Sequence, residues 1–224
     1  MRFIGAVALV VTLLWVPVDG AAQDNPAHSH IGHITDSFRG TPDGVGLLAT
    51  AIAEAGVAAQ HAGVAAQDMS DLDGMKRHMN HVLHALNPEE VKALDRVATF
   101  GNGPGAGYGV LAAAQGVVRH IEWAATSDGV SEVGIIHANH VATSAQNTVE
   151  RTLRMIGLAW AIQKASSASD AAVMVEELSS LGAQLTAGTD ANGDGRVGWQ
   201  KGEGGLYASQ THVNLMKRSE GIGN

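Results

Sequence analysis

Asp190-Ala-Asn192-Gly-Asp194-Gly195-Arg196-Val197-Gly-Trp199-Gln-Lys201-Gly-Glu203 is the stretch from which the rest of the chain is read. Short oxygen-bearing side chains occupy its first, third and fifth positions. Glycine follows at the sixth and an apolar residue at the eighth. Carboxylate and amide groups alternating on so tight a bend can turn their oxygens toward one hard cation. Helical patterns flank the stretch. One runs from Asp170, behind the capping serines Ser166-Ser-Ala-Ser169, to about Ala187. The other runs from about Gly204 to Arg218, with Lys217 and Arg218 at the end where a helix dipole favours cations. Helix, loop and helix in this order set the class. The chain is expected to be all-α, with a four-helix-bundle-like, His-rich domain over residues 23–165 and a C-terminal helix–loop–helix over residues 166–224.

The loop resembles the front half of an EF-hand calcium loop. The resemblance implies Ca2+ as the ligand, held by Asp190, Asn192, Asp194 and the backbone carbonyl of Arg196. Gly195 would make the sharp bend, and Val197 the short β-like contact behind it. The pattern departs at the twelfth position, where the family has a bidentate Glu and this chain has Lys201. Glu203, two residues later, can replace it only if the exiting segment is rearranged. The competing reading is a polar Asp/Asn/Gly turn that binds nothing. No second loop pairs with this one, because Asp71-Leu-Asp73-Gly74 is too short a match.

Arg2 followed by an apolar run from Phe3 to Val18, then Gly20-Ala21-Ala22, reads as a secretory signal cleaved after Ala22. Pro17 interrupts the run, so no stable membrane span is expected after cleavage, and the protein is expected to be periplasmic or secreted. The 224-residue chain carries a net charge of −8 with 14 Lys and Arg and no basic run, which disfavours nucleic acid as a partner. There is no cysteine, which excludes disulfides, thiolate catalysis, Fe–S clusters and covalently attached haem. Aromatics make up 4% and glycine is abundant at 28 residues. Small side chains in such numbers suit closely packed helices.

Histidine is the anomaly: 11 residues, ten of them between His28 and His140. Thr41-Pro42 is a helix-start signal, and a first helix is expected from there to about Gln67. Leu47, Glu54, His61 and Asp68 recur on it every seven residues and so share one stripe. A second helix, about Ser70 to Leu86, carries His78 and His81 at i, i+3, with His84 further round on the surface. Asn87-Pro88-Glu89-Glu90 starts a short helix toward Thr99. Gly101 to Gly109 reads as a connection, since no Lys-Ser/Thr follows to make a phosphate loop. A third helix, about Tyr108 to Thr126, places Gly109, Ala113, Gly116 and His120 on one face. A fourth, about Ser131 to Ala165, carries His137 and His140, again at i, i+3. The leading segment 23–40 contains His28, His30 and His33, which fit either a Cu(II) or Zn(II) site or a solvated tail.

Glu54, His61, His78, His81, His120, His137 and His140 therefore form the candidate transition-metal or haem constellation, projecting from four helices as bundle sites do. An imidazole-rich, carboxylate-poor set suits copper, zinc or haem b. Three functions follow: an exported metal-binding protein for metal handling or electron transfer, a calcium-stabilised structural or interaction protein, and a metal-dependent redox enzyme. Metal ions are the expected partners. No protein partner is indicated, and no nucleophile arrangement stands out as catalytic.

Overall fold

In the computed structural model, residues 25–92 and 105–223 are described. The expected leader and the expected continuation of the short helix toward Thr99 lie outside them. Eight α-helices occur among the described residues: α1 (Pro26–Thr35), α2 (Leu47–Ala65), α3 (Leu72–Leu86), α4 (Pro88–Lys92), α5 (Val110–Ala125), α6 (Glu132–Lys164), α7 (Ala168–Ala187) and α8 (Leu206–Ser219). The all-α expectation holds.

The local signals account for most of the boundaries. Asn25, Asp71, Ser131 and Ser167 cap α1, α3, α6 and α7, each accepting from a backbone N–H two or three residues on, at 2.8–3.1 Å. Thr41-Pro42 does not start α2. It opens a single 3₁₀ turn, Pro42–Gly44, in which Asp43 adopts φ 56°, a left-handed conformation that stops helix propagation. α2 then begins five residues later, at Leu47. The leading segment is not a tail. Ala27, Ile31 and Ile34, spaced four and three apart, bury one face of α1 completely.

The small residues do the packing expected of them. Ala51, Ala55, Ala58 and Ala62 form a fully buried seam along α2. Where α7 crosses that seam, a Cβ on Gly182 would stand 3.1 Å from the Cα of Ala59, so the backbones are close because the side chain is absent. The core continues through α7 and α8, with Val175, Leu178, Leu185, Leu206, Val213 and Met216 in the same cluster as the residues of α1–α6. No helix among the described residues is long and apolar enough to cross a membrane.

Two registers fix where the histidines lie. A Cβ on Gly116 of α5 would meet Leu47 at 2.8 Å, while Glu54 reaches the backbone of Tyr108 and Gly109, so α2 and α5 run antiparallel. By that register His61 lies beyond the start of α5 and His120 well along it, about 27 Å apart at 1.5 Å rise per residue. α5 and α6 are joined by the turn around Ser127–Val130 and pack along their length. His120 precedes that turn by about as much as His137 follows it. His120 and His137 are thus at one end of the molecule, and His61 is toward the other.

Candidate metal centres

An i, i+3 pair on a helix projects from one face, and a metal needs a third donor from elsewhere. The fold supplies one three times. His30 and His33 of α1 meet His120 of α5. His78 and His81 of α3 meet His61 of α2. His137 and His140 of α6 meet His212 of α8. Nine of the 11 histidines are in these triads. In each, the lone histidine is the hub. Its Nδ1 lies 3.2, 3.1 and 3.2 Å from Nδ1 of the first residue of the pair, and 3.4, 3.3 and 3.4 Å from that of the second. Ring centroids repeat as closely: hub to first residue 5.4, 5.3 and 5.4 Å, hub to second 4.8, 4.5 and 4.5 Å.

Three separate places in the chain thus build one geometry, and it is one that could hold a metal ion. At metal–nitrogen distances of about 2.0–2.1 Å, neighbouring vertices of a tetrahedron are about 3.3–3.4 Å apart. The two hub distances in each triad are near that spacing, and all three donor atoms lie within 4.8 Å of one another. Ring nitrogens this close are held together either by a proton shared between them or by a cation among them. The triads could each hold a metal ion. Eight of the nine histidines are half-buried and His120 is buried, so the triads lie near the bundle surface.

The electrostatics favour the neutral form of seven of the nine imidazoles. Burial, and then the neighbouring imidazoles, push His81, His120 and His212 down to about 4. His30, His61, His78 and His140 are lowered for the same leading reason. Arg77 and Arg119 add to the lowering beside the second and first triads. A neutral ring keeps its lone pair free for a metal at neutral pH.

Sequence reasoning expected Glu54, His61, His78, His81, His120, His137 and His140 to share one constellation. The structure unites His61 with His78 and His81, and gives the other histidines to two further triads. Glu54 joins none. Fully buried, it turns back to α5, where Oε1 accepts from the N–H groups of Tyr108 (2.9 Å) and Gly109 (3.3 Å), capping a helix whose own N-cap residue is glycine. Its Oε2 has no partner among the described residues. His212 was not singled out because it stands alone in its helix. His30 and His33 become a pair on one helix face only because residues 26–35 form α1. The alternation Ala27, Ile31, Ile34 is the sequence signal that would have found that helix.

One further signal lies in α6. His137, His140, Ser144, Asn147 and Arg151 are spaced three, four, three and four apart, a polar stripe on one face. Its lower half fastens the loop exit. Asn147 donates to the carbonyls of Gln200 (2.8 Å) and Gly204 (3.2 Å) and accepts from the N–H of Gly202 (2.8 Å). The Arg151 guanidinium donates to the carbonyls of Gly202, Glu203 and Gly204 at 2.7–2.8 Å. The chain is thereby folded back, with Gly202 at φ 86°, and Glu203 is carried inward to 3% exposure, where Oε2 accepts from the N–H of Gly198 at 2.8 Å. Asp190 accepts from the N–H groups of Gly193, Asp194 and Gly195, Asn192 from Asp194, and Asp194 from Arg196. The carboxylates of Asp190, Asp194 and Glu203 do not form a cluster as close as the histidine triads.

Comparison with protein families, with curated proteins and with solved structures gives no match.

Proposed function

We propose that this is an exported transition-metal-handling protein that binds three ions per chain, one in each triad, with calcium ordering the loop at Asp190–Glu203. The observation that carries the reading is the threefold repetition of one Nδ1 geometry at three unrelated places in the sequence. The donor set, three neutral imidazoles and no carboxylate, suits Cu(II) or Zn(II). Three nitrogens converging on one point favour a bare ion over a porphyrin, which needs opposed axial ligands. Among the described residues no hydrogen bond or ion pair ties His30, His33, His120, His137, His140 or His212 to a carboxylate, so these rings lack the partner that fixes ligands in permanent sites. Sites built from half-buried histidines suit uptake and release.

The test is elemental analysis and zinc titration of the metal-stripped protein. Three zinc ions per chain are expected, falling to two when any one triad is replaced by alanine. Binding of one ion or none by a folded protein defeats the reading. The calcium part is separable, because Asp190→Ala with Asp194→Ala should abolish calcium-dependent stabilisation and leave zinc stoichiometry at three.

A further inference from the structure

The third triad has a feature that coordination does not require. The indole of Trp199 stacks on the imidazole of His140, with ring centroids 3.7 Å apart and planes inclined by 17°. His140 is the second residue of the His137/His140 pair and a candidate ligand through Nδ1. Trp199 comes from a segment with no helical structure, nearly sixty residues further along the chain. The stack is therefore made by tertiary structure alone.

The means of making it are visible. The stripe on α6 that begins with His137 and His140 continues as Ser144, Asn147 and Arg151. Ser144 donates to the carbonyl of Trp199 at 3.4 Å, Asn147 grips Gln200, and Arg151 grips the next turn. On the far side, the N–H of Gly198 is held by the Glu203 carboxylate. Trp199 is thus fastened on both sides, and the helix that carries the ligand also carries the bolts.

We infer that Trp199 is a positioning residue for the third metal site, raising its affinity and tying it to the conformation of the 190–203 loop. The inference rests on the triads being metal sites. A ligand-independent contact would not change affinity; only a difference between bound and free states can. Such a difference exists here. A divalent ion on Nδ1 withdraws electron density from the imidazole, so the π face of the indole attracts the ring more strongly in the metal-bound state. The stack also fixes the His140 ring before the metal arrives, which lowers the ordering cost of binding. Trp123 touches His30 and His120 at 5.3 and 5.1 Å, but it lies one turn from His120 on the same helix and is inclined to both rings. The coplanar stack is the feature peculiar to Trp199.

The experiment is a zinc titration of the whole mature protein followed by ¹H–¹⁵N spectra of the imidazoles, which read the three triads separately. In Trp199→Leu, zinc affinity at His137/His140/His212 is expected to fall about two- to tenfold, as the loss of one aromatic pair implies. Affinities at the other two triads should not move, and Trp199→Phe should restore most of the loss. Unchanged affinity at the third triad in a folded Trp199→Leu variant overturns the inference. So does an equal loss at all three. Should Trp199→Leu not fold, a mature protein with Trp123 and Trp160 replaced by Phe leaves Trp199 as the only indole. Cu(II) filling the third triad should then quench its emission, and undiminished emission overturns the inference. Absence of zinc from every triad would defeat the metal-handling reading itself, a different outcome.

Discussion

Arg151→Met tests how the α6 stripe serves the third site. The guanidinium is 7% exposed and has no carboxylate bonded to it; burial holds it below the usual arginine range. It bonds three carbonyls, but they are not equally dependent on it. Gly202 is exposed and water can replace the lost donor. The Glu203 carbonyl keeps the N–H of Thr189 at 3.0 Å, and that of Gly204 keeps Asn147. The variant therefore orphans no carbonyl outright. It loses two buried charge-assisted hydrogen bonds, each worth about 1.5–3 kcal/mol. Against this stands relief from burying an unpaired charge, while methionine retains most of the packing volume. A net loss of about 2–3 kcal/mol follows, or about 4–12 °C in Tm for a domain of this size. Because the hairpin presents Trp199 to His140, zinc affinity should fall at the third triad and hold at the other two. Urea unfolding of the metal-free protein gives the first quantity, and site-resolved zinc titration the second. A stability change below about 0.5 kcal/mol, the scale of an ordinary surface substitution, would refute the load assigned to Arg151. Equal loss of affinity at all three triads would refute the route through the hairpin.

Three further outcomes follow from the same structure. Glu54→Ala should cost about 1–3 kcal/mol in urea unfolding by stranding the N–H groups of Tyr108 and Gly109 that lead into α5, and should leave zinc stoichiometry at three; a lost equivalent would return Glu54 to a metal site. With a chelator present, stability should fall as pH drops from 6.5 toward 4. In that window the unfolded chain binds protons that His81, His120 and His212, held at about 4, refuse. These groups add no pH dependence above 6.5, and a flat profile between pH 6.5 and 4.5 would contradict their burial. Gly182→Val should destabilise by about 1–3 kcal/mol, since the tight neighbour is the Ala59 backbone, which cannot turn aside; unchanged thermal unfolding would show that α2 and α7 can separate.

Local sequence signals set most of the helices and the histidine pair of two of the three sites. Caps at Asp71, Ser131 and Ser167 and the proline after Asn87 mark helix starts, because their signals are local and act within one turn. The pairs His78/His81 and His137/His140 were legible for the same reason, since i, i+3 spacing fixes a shared face whatever the helix packs against. Their third ligands were not legible. His61, His120 and His212 lie 17, 87 and 72 residues from one member of the pair they complete, as the Nδ1 contacts record. Nothing local distinguishes such a histidine from a surface one. Only helix packing assigned His120 to α1 instead of to its neighbours in sequence, because the buried Ala27, Ile31 and Ile34 face seats α1 against α5. Tertiary structure alone likewise moved Glu54 from candidate ligand to helix cap and brought Trp199 onto His140. Periodicity gives the direction in which a side chain leaves its own helix, while its partner is chosen by how the helices pack.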